Sequence, residues 1–301
     1  VPNLALRRKD DLSSFRKIAI GTWQDAYDPT VYGTLEVRMD DAVKYLAAFR
    51  QRTGRRLTVS HLLAKAAAMA LVACPDANAV LRWNRIYLRQ RIGVFFQVVM
   101  SDEGEDKIDL SGATLYDVEK KSLLEICDEF EAKVASVRAR KDPALEQTRR
   151  TFLGIPYFFL NRFLKILSFL SYTLNLDLRR FGVPNDPFGS LMITNIGTLG
   201  LDVAYVPLAP YSRVPVLLAT GAVKDTAVVE DGKLKPGKVM AINATFDHRI
   251  IDGFHAAVMA KTLRRWLEDP FEHFDKLADL PAAAAAEAAT DAALPPRYPA
   301  S

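Results

Sequence analysis

A chain of 301 residues, half of them hydrophobic, is long enough for one large domain or two moderate ones. Its 40 basic and 36 acidic residues leave a formal charge of only +4, and no basic block is interleaved with stacking aromatics, which argues against nucleic acid as a partner. Cys74 and Cys127 are too few and too far apart for a zinc cluster or a disulfide framework, and read as small buried thiols of a reducing, cytoplasmic compartment.

The opening residues carry no signal-peptide pattern, and 11–26 read as a helix with Ser13 or Ser14 near its start. Residues 32–40 alternate as a strand, and Asp40 is placed to cap a helix running through Arg52. A long apolar-faced helix follows over 58–73, opened by Thr58 or Ser60 and stopped by Cys74-Pro75. Strands are expected at 85–88 and 92–100, then an exposed acidic loop over 101–109. Residues 121–138 have helical periodicity.

The stretch 152–176 carries only two charges, Arg162 and Lys165. It is too apolar for a surface loop, and Pro156, Asn161 and the two cations interrupt it as a membrane span. It reads first as buried or oligomer-facing helix. A hydrophobic acyl pocket, or peripheral membrane contact through 152–176, is the alternative. Further strands are expected at 191–195, 214–223 and 238–245, with Glu230-Asp231-Gly232-Lys233 as a hairpin turn. A helix over 253–267 ends at Pro270, and the Ala/Pro-rich 281–301 reads as a disordered or extended tail. Strands interspersed with long helices, some strands in hairpins, predict a single α/β domain over 1–280 built on one large mixed sheet.

Two runs carry candidate chemistry. In Asp247-His248-Arg249-Ile250-Ile251-Asp252-Gly253, a histidine follows a strand and precedes a helix, bracketed by carboxylates. An imidazole so placed can take a proton from a thiol or hydroxyl at neutral pH. Asp252 either orients the ring or pairs with an arginine to hold the loop, and Gly253 permits a tight turn or close packing. The other three histidines, His61, His255 and His273, read as structural, and no spacing supports a metal site. The second run, Ile193-Thr194-Asn195-Ile196-Gly197-Thr198-Leu199-Gly200, ends a strand with a hydroxyl, an amide and two glycines. Thr194 can donate to a developing oxyanion, while a plain glycine-rich turn is the simpler reading. The run is neither a Walker loop nor a dinucleotide fingerprint, and no Gly-x-Ser-x-Gly elbow occurs.

Together these residues resemble the catalytic domain of the 2-oxo acid dehydrogenase acyltransferases, the dihydrolipoamide acyltransferase E2 components. Asp247 to Gly253 matches the family's His-x-x-x-Asp-Gly signature in its Asp-His-Arg context. Thr194-Asn195-Ile196-Gly197 is similar to the family's Ser-Asn-Leu-Gly, with threonine for serine, and Gly200 matches the glycine closing that turn. Arg16-Lys17-Ile18 resembles the opening helix motif, Cys74-Pro75-Asp76-Ala77-Asn78 the stretch ending in Pro-x-x-Asn, and Lys120-Lys121-Ser122-Leu123 also fits.

The resemblance implies a chloramphenicol acetyltransferase-like two-layer α/β sandwich with a large mixed sheet and packed helices. It implies a homotrimer with active sites between subunits, and coenzyme A or acyl-CoA as substrate, with no metal. His248 would be general base and Thr194 oxyanion donor, with Asp252 the third catalytic-site residue, paired with Arg16, and Arg16, Asn195 and Gly253 supporting the site. The departures concern the acceptor. No lipoyl attachment domain is evident in this chain, so a lipoyl-bearing or dehydrogenase-complex partner would supply the dihydrolipoyl group. Acidic residues 101–109 stand where the family shows Gly-Leu-x-x-Pro-Val-Ile, Phe188-Gly189-Ser190 replaces Gly-Gly-Thr, and the apolar stretch within about 150–188 reads as an insertion. A silent structural core subunit, or a module that binds acyl-CoA without turnover, is the alternative to an enzyme.

Overall fold

The computed structural model describes residues 2–10, 29–101, 108–138 and 157–282. In chain order they form β1 (Leu6–Arg8), β2 (Thr30–Arg38), α1 (Asp40–Thr53), α2 (Val59–Ala73), β3 (Ala79–Arg82), β4 (Arg85–Arg89), β5 (Gly93–Ser101) and β6 (Ile108–Tyr116). Then come α3 (Leu123–Arg138), α4 (Tyr157–Ser168), β7 (Leu191–Asn195), β8 (Val216–Thr220), β9 (Lys224–Glu230), β10 (Lys233–Asp247), α5 (Gly253–Glu268) and the single turn α6 (Pro270–His273).

Seven strands make one mixed sheet in the order β2-β10-β8-β7-β5-β6, with β9 paired to the first half of β10. β7 runs parallel to both β5 and β8, and the remaining pairs are antiparallel. Alternation along the strands sends Leu191 and Ile193 of β7, Val216 and Leu218 of β8, and Ile242 of β10 into one core with the helices. Met192, Leu217 and Ala219 face the other way, into a small cluster with Ile196, Ala204 and Val206. Asp231 and Gly232, both at positive φ, turn β9 into β10 as the hairpin signal requires.

The helices lie where periodicity placed them, with physical corrections at their starts. α1 begins at Asp40 itself, with Met39 as an N-cap that makes no side-chain bond. The Asp40 carboxylate instead pairs with Arg38 at 2.8 Å and accepts the Lys238 N–H at 3.0 Å, tying helix to sheet. α2 does use Thr58 as its cap, in a capping box whose third residue is His61. That helix is buried almost all round, and its Lys65 ammonium donates to the carbonyls of Val118, Glu119 and Lys121 at 3.2, 2.7 and 2.7 Å.

A second, three-stranded sheet in the order β1-β4-β3 was not expected, nor was β6, whose first two residues fall in the stretch read as loop. The expected helix over 11–26, residues 102–107 of the acidic stretch and 283–301 of the tail lie outside the described residues. Within 152–176, α4 runs into one π-helical turn over Phe169–Thr173. Ser168, Ser171, Tyr172 and Thr173 are buried there, while Ile166 and Phe169 stay exposed.

Candidate active site

His248 sits at the first turn beyond β10, and its backbone is clamped from both sides. Its N–H donates to Pro29 O at 2.8 Å, and the preceding Asp247 N–H donates to Pro215 O at 2.9 Å. Ile250 and Ile251 return their N–H groups to Asp247 O at 3.0 and 2.9 Å while their side chains are buried in the core. The Asp247 carboxylate is gripped by the Arg249 fork, Nε to Oδ1 at 2.9 Å and Nη2 to Oδ2 at 2.7 Å. The loop is therefore rigid, and the His248 ring is half-buried.

Asp252 is the N-cap of α5. Its Oδ1 accepts the N–H groups of Phe254 and His255 at 3.1 and 3.2 Å and lies 2.6 Å from His255 Nδ1. The expected partner Arg16 lies outside the described residues. His255, which sequence reasoning set aside, is thus the third residue of a capping box, with its Nε2 3.9 Å from Asp76 Oδ2. The spacing of Asp252 and His255 carried that signal. Gly253 is not in the left-handed region, and a Cβ there would meet nothing within 4 Å, so the chain itself imposes neither a tight turn nor close packing on it.

Thr194 lies on β7 beside Ala219 of β8, which in turn lies beside Asn243 of β10. The turn after it is locked by close backbone approach. A Cβ on Gly197 would come within 2.6 Å of Ala222 N, and one on Gly221 within 2.2 Å of Asp202 O. Asn195 Oδ1 accepts the Thr198 N–H at 3.3 Å, and Gly200 closes the turn at φ 78°. Asn195 therefore shapes this turn. Asn243, fully buried at the same level, donates to Asp202 O at 3.3 Å and accepts from Thr34 Oγ1 at 2.9 Å, an arrangement that strand patterning alone did not single out.

The same register separates the two candidate groups within one chain. His248 is five residues beyond Asn243, or about 17 Å along the strand, and β7 is two strand spacings, about 10 Å, to the side of β10. Thr194 and His248 thus stand at opposite ends of the sheet, roughly 20 Å apart, beyond the reach of one reacting carbonyl.

A family model described as 2-oxoacid dehydrogenases acyltransferase (catalytic domain) matches residues 7–153 and 187–274. The chain belongs to this acyltransferase family. The acetyltransferase component of the acetoin cleaving system of Bacillus subtilis (strain 168) is 22% identical over 267 residues, which is 89% of this chain and 53% of that protein. The acetyltransferase component of the pyruvate dehydrogenase complex of the same organism is 36% identical over 81 residues, 27% of this chain and 18% of that protein. The chain spans about half the length of the first of these relatives. Among solved structures, the cubic core of the pyruvate dehydrogenase multienzyme complex aligns with a TM-score of 0.60 at 20% identity, covering 88% of this chain and 93% of that one. A probable dihydrolipoamide acetyltransferase from Listeria monocytogenes 4b F2365 gives the same TM-score at 16% identity, covering 87% and 95%. The fold is that of these acyltransferase cores.

Residues 154–186 lie between the two stretches that match the family model. This segment nevertheless touches the candidate site. Ser168, at the end of α4, accepts from Arg213 Nε at 3.0 Å. Arg213 stands two residues before Pro215, the carbonyl partner of Asp247. Burial and the neighbouring Arg249 charge push the Arg213 guanidinium below its usual range. No sequence signal marked Arg213, because its importance comes from a contact with a segment foreign to the family pattern.

Proposed function

We propose that the chain is a CoA-dependent acyltransferase that exchanges an acyl group between coenzyme A and a thiol, with a dihydrolipoyl group on a partner as the acceptor. His248 takes the proton of the attacking thiol, and the thiolate adds to the thioester carbonyl. The Thr194 hydroxyl donates to the oxyanion of the tetrahedral intermediate. Collapse breaks the original C–S bond, and the departing thiolate takes the proton back from His248. Asp252 holds α5 and the His248 turn in place, while Asn195 shapes the Thr194 turn and Gly253 leaves the mouth of α5 open.

The observation that carries this reading is the separation of the two groups on one sheet. Each is fixed by its own turn, and neither is near enough to serve the other within a chain. A homotrimer in which His248 of one subunit faces Thr194 of the next meets that geometry. Exposed apolar residues near Thr194 and along β2 support such a contact: Leu199, Leu201, Val203, Tyr205, Val31 and Tyr32. In the Azotobacter vinelandii dihydrolipoamide acetyltransferase, a serine, a histidine and an asparagine were investigated for their role in the catalytic mechanism, the last two four positions apart as His248 and Asp252 are.

The test is thiol release from a panel of acyl-CoAs with dihydrolipoamide or a lipoylated protein as acceptor. His248→Ala is expected to lower turnover on the order of 10²–10⁴-fold. Unchanged turnover in that variant would sink the proposed mechanism, and no turnover by the unaltered chain with any of these acceptors would leave it as a structural core subunit.

A further inference from the structure

The segment that the family model leaves unmatched builds an outward face of unusual composition. Along α4 and into the π-helical turn that follows it, Arg162, Lys165, Ile166 and Phe169 follow the spacing of one helical stripe, and all four are exposed. The exposed stripe of an ordinary surface helix is polar; this one sets two cations beside two large apolar side chains. The opposite stripe, Phe163, Leu164 and Leu167, is half-buried against the body of the protein. Phe169 is extended by Trp83, whose ring meets it edge-on at 5.7 Å. Trp83 forms the tip of the β3–β4 hairpin with Asn84, both at positive φ, and 61% of its surface is open to solvent. A bulky side chain in the left-handed region is disfavoured, so the fold tolerates strain to present this indole outward. Arg82 and Arg85 flank it, and Arg82 Nε ties the hairpin to the segment through Thr173 O at 3.0 Å.

Charge decides what such a face fits. Residues 157–186 contain four cations, Arg162, Lys165, Arg179 and Arg180, against two acids: Asp177, engaged by Arg179 at 2.6 Å, and Asp186, paired with the buried Arg89. Exposed Trp and Phe set among Lys and Arg are the residues that settle at the boundary between lipid headgroups and acyl chains. Among the described residues no helix is long and apolar enough to cross a membrane, so contact made by this face is peripheral.

We propose that the face formed by Trp83, Ile166 and Phe169 with Arg162 and Lys165 docks the protein on the surface of a bilayer containing anionic phospholipid. The cations meet the headgroups, and the indole and phenyl rings enter the interfacial layer. The inference is independent of acyl transfer, because its readout is lipid binding by the whole chain.

The test is co-sedimentation of the full chain with vesicles of phosphatidylcholine alone or mixed with phosphatidylglycerol. Binding is expected on the anionic vesicles only, and weaker at high salt. Neutralising Arg162→Gln and Lys165→Gln together should weaken it roughly 30-fold, at about 5-fold for each cation. Trp83 emission should shift to the blue on vesicle binding, and that shift should vanish in Trp83→Phe. Absence of binding to anionic vesicles, equal binding to both vesicle types, or full binding by the double Gln variant would each overturn the proposal. So would capture by an acidic protein in place of vesicles, which would make this a protein-docking face.

Discussion

The roughly 20 Å between Thr194 and His248 in one chain makes the shared site testable by mixing defects. Chains carrying His248→Ala lack the base, and chains carrying Thr194→Val lack the hydroxyl at nearly constant volume. Assembled separately, the first is expected to lose on the order of 10²–10⁴-fold and the second roughly 10-fold or more. Assembled together in equal amounts, each site draws its histidine from one subunit and its threonine from a neighbour. Each contribution is intact half the time, so about one quarter of sites in a random trimer regain both groups. Turnover of the mixture should then approach a quarter of the wild-type value, at least about 2.5-fold above the Thr194→Val parent and far above the His248→Ala parent. The assay is steady-state thiol release after co-expression with two affinity tags, with sedimentation to confirm mixed oligomers. If turnover of verified mixed oligomers equals the mean of the two parents, the site does not combine these residues from different subunits, and the proposed mechanism fails.

Burial lowers the His61 imidazole to about 4 from an ordinary value of 6.5, so the fold favours the neutral ring and the unfolded chain binds the extra proton. Stability should therefore be full above pH 6.5 and fall by about 3 kcal/mol as the pH drops towards 4, a slope that urea titrations should find flattened in His61→Gln. Lys65→Met removes three hydrogen bonds to buried carbonyls and should cost about 2–4 kcal/mol by the same titrations; a loss below about 1 kcal/mol would mean those carbonyls find other partners. Asp252→Asn keeps a good cap and should hold both melting temperature and turnover, whereas Asp252→Ala should cost about 1 kcal/mol and lower turnover with it. A large loss of turnover in Asp252→Asn at unchanged stability would show that the carboxylate charge itself acts in the chemistry.

Long periodic segments were readable because their burial is one-sided or complete. The strand over 191–195 and the helix over 253–267 are found where alternation and helical periodicity placed them. Short strands of the second sheet were not, since three or four residues such as Leu6–Arg8 and Ala79–Arg82 carry no period of their own and form only by pairing with β4. Asp40 shows the same limit at one residue: an acid before a helix signals a cap, but a register contact with Lys238 and the adjacent Arg38 captured the side chain first. The signature run was legible as chemistry because its residue types are unusual together. Its surroundings were not, because Pro29, Pro215 and Arg213 reach it from distant parts of the chain.

The two carboxylates beside His248 hold its turn, and the acidity of the acceptor sets what the imidazole must do. Asp247 is held by Arg249, and Asp252 by the N-terminus of α5 and by His255. Both act on backbone and helix and fix the turn that carries His248, so acceptors differ by the cost of moving their proton to an imidazole. Moving a proton from a free thiol to a free imidazole is uphill by about two pKa units, or about 3 kcal/mol. For a hydroxyl as weakly acidic as water, at about 15.7, the same step is about 12 kcal/mol uphill. An imidazole base meets the first demand with little assistance and the second only with far more. The proposed mechanism therefore favours a thiol acceptor over an alcohol. Comparing turnover with dihydrolipoamide against a hydroxyl analogue of the same skeleton would test this, and a preference for the alcohol would refute it.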